Sequence, residues 1–152
     1  MTKVRTSSTH PNLHPKVQSL LDDEGLDFHF RPVGEKGHFI KEKDSYIMGR
    51  FKCGNWKCSR FWSSKCIAIN IRLYRNNKYT AVVYHQHCEN CNTLGRPQLG
   101  KSYEERISKW LKIWSGIDVP TEPRGSKSKR PHRSSLCEGC KANHCPWMAG
   151  GA

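Results

Sequence analysis

The chain has 152 residues, a hydrophobic fraction of 36% and a formal charge of +13. That length suits one domain, but its apolar residues make a small core, so a metal or disulfide staple is expected. No apolar run reaches the length of a membrane span, and Met1 to Asn12 hold no signal-peptide core, so an intracellular protein, cytoplasmic or nuclear, is expected. In that reducing setting eight cysteines point to metal rather than disulfides.

In chain order, His10-Pro11 and His14-Pro15 open a segment in which Val17, Leu20 and Leu21 share one helical face. Pro15 suits the first turn of that helix and Gly25 its end. Leu26, Phe28 and Phe30 alternate with Asp27 and His29 as a brief strand stopped by Pro32. Residues 1–46 thus read as a cover segment laid on a main sheet. Gly34 to Asp44 reads as a charged loop, and Ile47 to Phe51 as the strand that delivers Cys53.

The centre of the chain runs from Cys53 to Cys91. Cys53-x4-Cys58 and Cys88-x2-Cys91 each set two sulfurs at the tip of a tight turn, where one tetrahedral ion can take both. Between them Ile67, Ile69, Ile71 and Leu73 alternate with Ala68, Asn70, Arg72 and Tyr74, the period of a half-buried strand. Asn76, Asn77 and Lys78 form a polar turn. Tyr79 to His87 alternates again, with Ala81, Val83 and His85 on one face. This hairpin returns the second cysteine pair to the first.

Asn92 to Gly100 reads as a loop. Ser102 is expected to start the clearest helix, with Glu105 completing a capping box. Tyr103, Ile107, Trp110, Leu111 and Trp114 share one face and Gly116 supplies the stop. That stripe is expected to pack as core rather than dock a partner, contributing on the order of 6 to 10 kcal/mol before entropy. Pro120 to Ser135 is a basic flexible loop. A solvated linker, a nuclear-import signal and a phosphate-contacting arm are all consistent with it.

His132-x4-Cys137-x2-Cys140-x4-Cys145 has the spacing of a second zinc knuckle. His144 is a rival to His132, and an exchange of cysteine pairs between the two sites stays open. Two structural Zn2+ ions are expected. Cys66 is left over and reads as a buried small hydrophobe.

Gly49-Arg50-Phe51-Lys52-Cys53, Trp62-Ser63-Ser64-Lys65, Tyr84 to Asn92 and Leu136 to Cys145 together resemble the three-CxxC zinc-binding domain. The resemblance runs from about His10 to Trp147 and is strongest to the small stand-alone fungal members. It implies a zinc-binding domain over residues 47–147, with residues 148–152 as a disordered tail. The same domain type occurs in receptor-transporting proteins, which assist membrane receptors to the cell surface. It also occurs in zygote-arrest proteins, which bind messenger RNA and repress translation. The four-residue spacing of the first pair and the presence of Cys66 depart from the family pattern, and no membrane anchor of the receptor-transporting kind follows the domain.

Catalysis fits the residues poorly. A hydrolytic zinc needs a position open to water, and both proposed sites have four protein ligands. A nucleobase deaminase read on His87-Cys88-Glu89 and Cys137-x2-Cys140 lacks the Pro before Cys137, leaves Cys88 and Cys91 unused and has no βα alternation. A thioredoxin-like use of Cys88-x2-Cys91 lacks a βαβ unit.

The charge, by contrast, is segregated: residues 47–101 carry ten Lys or Arg against the single acid Glu89, whereas residues 1–46 are balanced. Lys52, Lys57, Arg60 and Lys65 surround Trp56, Phe61 and Trp62. Cations that hold phosphates beside an exposed aromatic suit single-stranded RNA. Trp56, inside the first knuckle, is the stacking candidate, while Trp62 reads as core. The alternative is a protein-interaction or chaperone-like adaptor for membrane-protein trafficking, which would need an apolar patch such as Tyr103, Trp110 and Trp114. Anionic lipid headgroups are a third candidate partner. The expectation is therefore a small α+β zinc-binding domain, a zinc-ribbon-like antiparallel β-sheet with one amphipathic helix and a second zinc knuckle. It is expected to be non-enzymatic, with RNA or another anionic partner.

Overall fold

A computed structural model of the chain describes residues 6–31, 37–55, 57–119 and 136–142. The strong apolar alternation of the central segment builds two long strands, β3 (Lys41–Cys53) and β4 (Phe61–Tyr74), followed by β5 (Lys78–Tyr84). Together with β1 (Ser7–Thr9) and β6 (Gly95–Leu99), these pair antiparallel in the order β1-β5-β4-β3-β6. The two-residue β2 (His29–Phe30) adds to β5 in parallel. Asn76 and Asn77 take left-handed backbone (φ 63° and 57°) between β4 and β5, a conformation asparagine tolerates.

One face of the sheet carries Ile47, Phe51, Ile67, Ile69, Ile71, Tyr79, Ala81 and Val83, all buried in a single cluster. Helix α1 (His14–Asp22) supplies Val17 and Leu21 to it, and α2 (Lys101–Trp114) supplies Tyr103, Ile107 and Leu111. The N-terminal elements therefore share the core of the sheet. Trp110 and Trp114 pack against this cluster partly buried, so the helical stripe is core, as its spacing implies. Gly116 (φ 88°) ends α2, with Ile117 N–H closing back on the Lys112 carbonyl.

Ile67 to Ile71 are all buried, because the second face of β4 is covered as well. There Ala68 lies under Cys137 and Cys140 at the short helix α3 (Glu138–Lys141), with Cys66 and Tyr84 packed beside them. Asn70 on that face is satisfied by Asp44 at 2.8 Å. A bulge flips the register between these two halves: Ile47 opposes Ile67 but Gly49 opposes Ser64, leaving Met48 against both Lys65 and Cys66.

Three expectations are corrected. The stretch Gly34 to Asp44 is not loop throughout, since β3 begins at Lys41; its charged residues pair across the strands, Glu42 with Arg72 at 2.7 Å, instead of alternating with apolar ones. Asn92 to Gly100 is not a loop either. Gly95 to Leu99 pairs with β3 as an edge strand, the position in which Pro97 is tolerated. Finally, Ser102 makes no capping box: Gly100 is the N-cap, and no side chain bonds to it. The Ser102 hydroxyl instead accepts from Met48 N–H (2.9 Å) and donates to Met48 C=O (2.7 Å), tying α2 to β3 at the residue that faces the β4 bulge.

Candidate metal centre

Each cysteine of the central set is delivered by a strand end. Cys53 closes β3, Cys58 sits in the turn to β4, and Cys88 and Cys91 follow β5. The turn between Cys53 and Cys58 is held by Cys53 N–H on the Arg60 carbonyl (2.7 Å), by Cys58 N–H on the Asn55 carbonyl (3.0 Å) and by Lys57 N–H on Asn55 Oδ1 (3.1 Å). The turn after β5 closes with Asn92 N–H on the Cys88 carbonyl, with Asn92 itself left-handed (φ 60°). Backbone bonds from Cys88 to Thr93 and from Gly54 to Leu94 then bring the two turns together.

The four sulfurs lie within 4.8 Å of one another, with Cys53–Cys91 at 3.4 Å and Cys58–Cys88 at 3.8 Å. Four thiolates on one zinc at ~2.3 Å stand about 3.8 Å apart, so the set fits a single tetrahedral ion. Because all four positions are protein sulfur, the shell has no place for a reactive water, which marks it as structural.

The local field divides the thiols. Burial pushes Cys53 up to about 12, whereas hydrogen bonds from Thr93 draw Cys91 down to about 6. Burial also opposes ionisation of Cys88, but the Cys91 and Asn90 backbone and the Arg60 side chain outweigh it and lower its pKa. Arg60 is thus turned toward the centre. It stands 3.5 Å from Glu89 and over the Trp62 ring.

Where the sequence places a second site, Cys137 and Cys140 are buried together, and Cys140 N–H donates to Cys137 Sγ at 3.4 Å. This knuckle is fastened to the sheet by His87 N–H on the Leu136 carbonyl, Glu138 N–H on the His85 carbonyl, and a His87 Nε2 contact with Glu138 Oε1. His132, His144 and Cys145 lie outside the described residues. Cys66 packs beside this pair but is half-buried rather than buried as expected.

Around the first centre, Lys52, Lys57 and Lys65 are exposed and Arg60 is half-buried, while Trp56 lies outside the described residues. Trp62 faces the core, stacked on Phe51 at 5.4 Å, and its indole N–H donates to Gln86. Its close neighbour is Gly95, where a Cβ would stand 2.5 Å from the ring. The same register puts Phe61, Arg50 and Arg96 beside Lys52 on the opposite, solvent face. Sequence reasoning left Arg50 and Arg96 out of this group. Arg50 could have been found by alternation with Lys52, but Arg96 could not, because its segment did not read as a strand.

Two comparisons return no match: neither a curated protein nor a solved structure corresponds to the chain. A third finds that the family model of the 3CxxC zinc ribbon, described as a zinc-binding domain, matches residues 46–143.

Proposed function

This chain belongs to the 3CxxC zinc-ribbon family, and we propose that it is a non-enzymatic module in which structural zinc holds a basic surface that binds single-stranded RNA. The observation that carries this reading is the charge of the zinc-bearing strands. Arg50, Lys52, Lys65 and Arg96 are exposed there, and the only acid between residues 47 and 101, Glu89, stands beside Arg60. A surface of one sign attracts a polyanion, and RNA presents phosphates at regular spacing. A second zinc on Cys137 and Cys140, completed by Cys145 and a histidine, belongs to the same proposal.

The adaptor reading draws less support. Tyr103 is buried, Trp110 and Trp114 pack against the core, and Lys43 and Lys109 cover the Trp110 ring. The aromatic stripe is thus taken up by the core, and Ile113, 36% exposed, is the apolar side chain that α2 leaves to solvent, a small target for a client. Among the described residues no helix is long and apolar enough to cross a membrane; an intracellular setting remains part of the proposal.

The experiment is the affinity of zinc-loaded protein for a labelled single-stranded RNA pool across a salt series. Tight binding that falls with salt, at a slope equivalent to several phosphate contacts, supports the reading. Weak binding at physiological salt would turn the argument to the adaptor role.

A further inference from the structure

The outer face of the sheet at its zinc end carries an aromatic side chain that the fold does not use. Phe61 is 45% exposed and belongs to neither apolar cluster among the described residues. It stands at the first position of β4, directly opposite Lys52 on β3, and Lys52 is in turn directly opposite Arg96 on β6. Cross-strand partners share a face, so the three side chains form a row across three strands, spanning about 10 Å at ~4.8 Å per strand. Arg50 lies one pleat along β3, opposite Ser63 and Gln98. Lys65 lies two residues beyond Ser63 and is exposed.

The contacts the ring now makes are with cations: the Arg50 guanidinium carbon is 5.4 Å and the Lys52 ammonium 5.6 Å from its centroid. At an exposed position such contacts are weak, and a stacked base is a stronger partner for a ring than either. Farther along, the same face is closed, because the knuckle at Cys137 and Cys140 covers Ala68. Its open part is therefore bounded: an exposed aromatic ring flanked by cations on the sheet face, with no acid among the residues named. Unpaired bases stack on such a ring while phosphates reach the cations; a duplex, with its bases buried, cannot use it.

The geometry points to Phe61 as the base-stacking platform of this protein, with Arg50, Lys52, Lys65 and Arg96 as its phosphate contacts. This rests on the RNA reading above and moves its centre from Trp56 in the knuckle to the sheet face.

The test uses the zinc-loaded full chain with a fluorescein-labelled ten-residue oligouridylate and an abasic oligomer of the same length. Phe61→Ala should weaken oligouridylate binding about 5- to 150-fold, the range of one lost base stack. It should leave zinc content and salt slope unchanged, and it should abolish the preference for the oligouridylate over the abasic chain. Phe61→Tyr should restore that preference. Lys52→Ala and Arg96→Ala should each reduce the salt slope by about 0.7 to 1. Loss of the preference in Trp56→Ala with Phe61→Ala unaffected would place stacking in the knuckle and overturn the inference. Wild-type binding that is salt-dependent but equal for both oligomers would overturn it too, while leaving RNA binding intact. Binding of neither oligomer would remove the RNA reading itself and leave the face to a protein partner.

Discussion

At the scale of single residues, the metal centre depends on protons as much as on sulfur geometry. Zinc binds thiolates, so each ligand that is protonated in the free protein must release its proton on binding. Cys91, drawn down to about 6 by Thr93, is largely ionised at neutral pH, while Cys53, held up to about 12 by burial, is not. Raising the pH removes competing protons, so zinc affinity rises with pH; lowering it through the Cys91 value adds a further proton to be displaced. Competition with a chromophoric chelator between pH 8 and 5.5 should therefore show a falling affinity that steepens below about 6, and a flat profile would contradict the ligand set. The two cysteine pairs of the central cluster were legible because knuckle spacing is local: two sulfurs three to five residues apart meet at a turn whatever lies beyond. The exposed Phe61 was not legible, because the side on which a residue lies is set by strand register.

Among the elements, the docking of α3 on β4 is the contact with least room. A Cβ on Gly139 would stand 2.4 Å from Ala68 Cβ, closer than side-chain carbons approach. Gly139→Ala must push the knuckle off the sheet or shift it, at a cost of about 1 to 3 kcal/mol. Thermal unfolding should report that loss, and amide exchange at Cys140 and Lys141 should accelerate; wild-type exchange in the variant would show that the knuckle does not seat as described. Here too local and distant information separate. The helical stripe of α2 was readable because its period of 3.6 residues lies within one segment. The bonding of Ser102 to Met48, 54 positions away in the chain, leaves no local mark and displaced the capping box that the spacing to Glu105 suggested.

For the whole molecule, the apolar cluster runs along the long strands to the zinc end, where Phe51 and Trp62 stack next to Cys53. Chelation leaves the zinc-end turns without the ion that opposes their sulfurs, and the melting temperature should fall by more than about 10 °C. An unchanged melting curve after complete metal removal would show that the core stands alone. Taken by itself, the sequence determined the cysteine pairs at their turns, the central hairpin, the buried helix stripe and the excess of positive charge. All of these are periodicities or spacings within short segments, where backbone geometry alone relates one residue to the next. Only the tertiary structure brought Cys53, Cys58, Cys88 and Cys91 rather than an exchanged set to one point. It also decided that the charged start of β3 and the Pro-bearing β6 are strands, and that Phe61, beside the core-facing Trp62, faces water. Pairing partners supply the missing hydrogen bonds to segments that lack an apolar pattern, and a single bulge reverses the faces of everything beyond it.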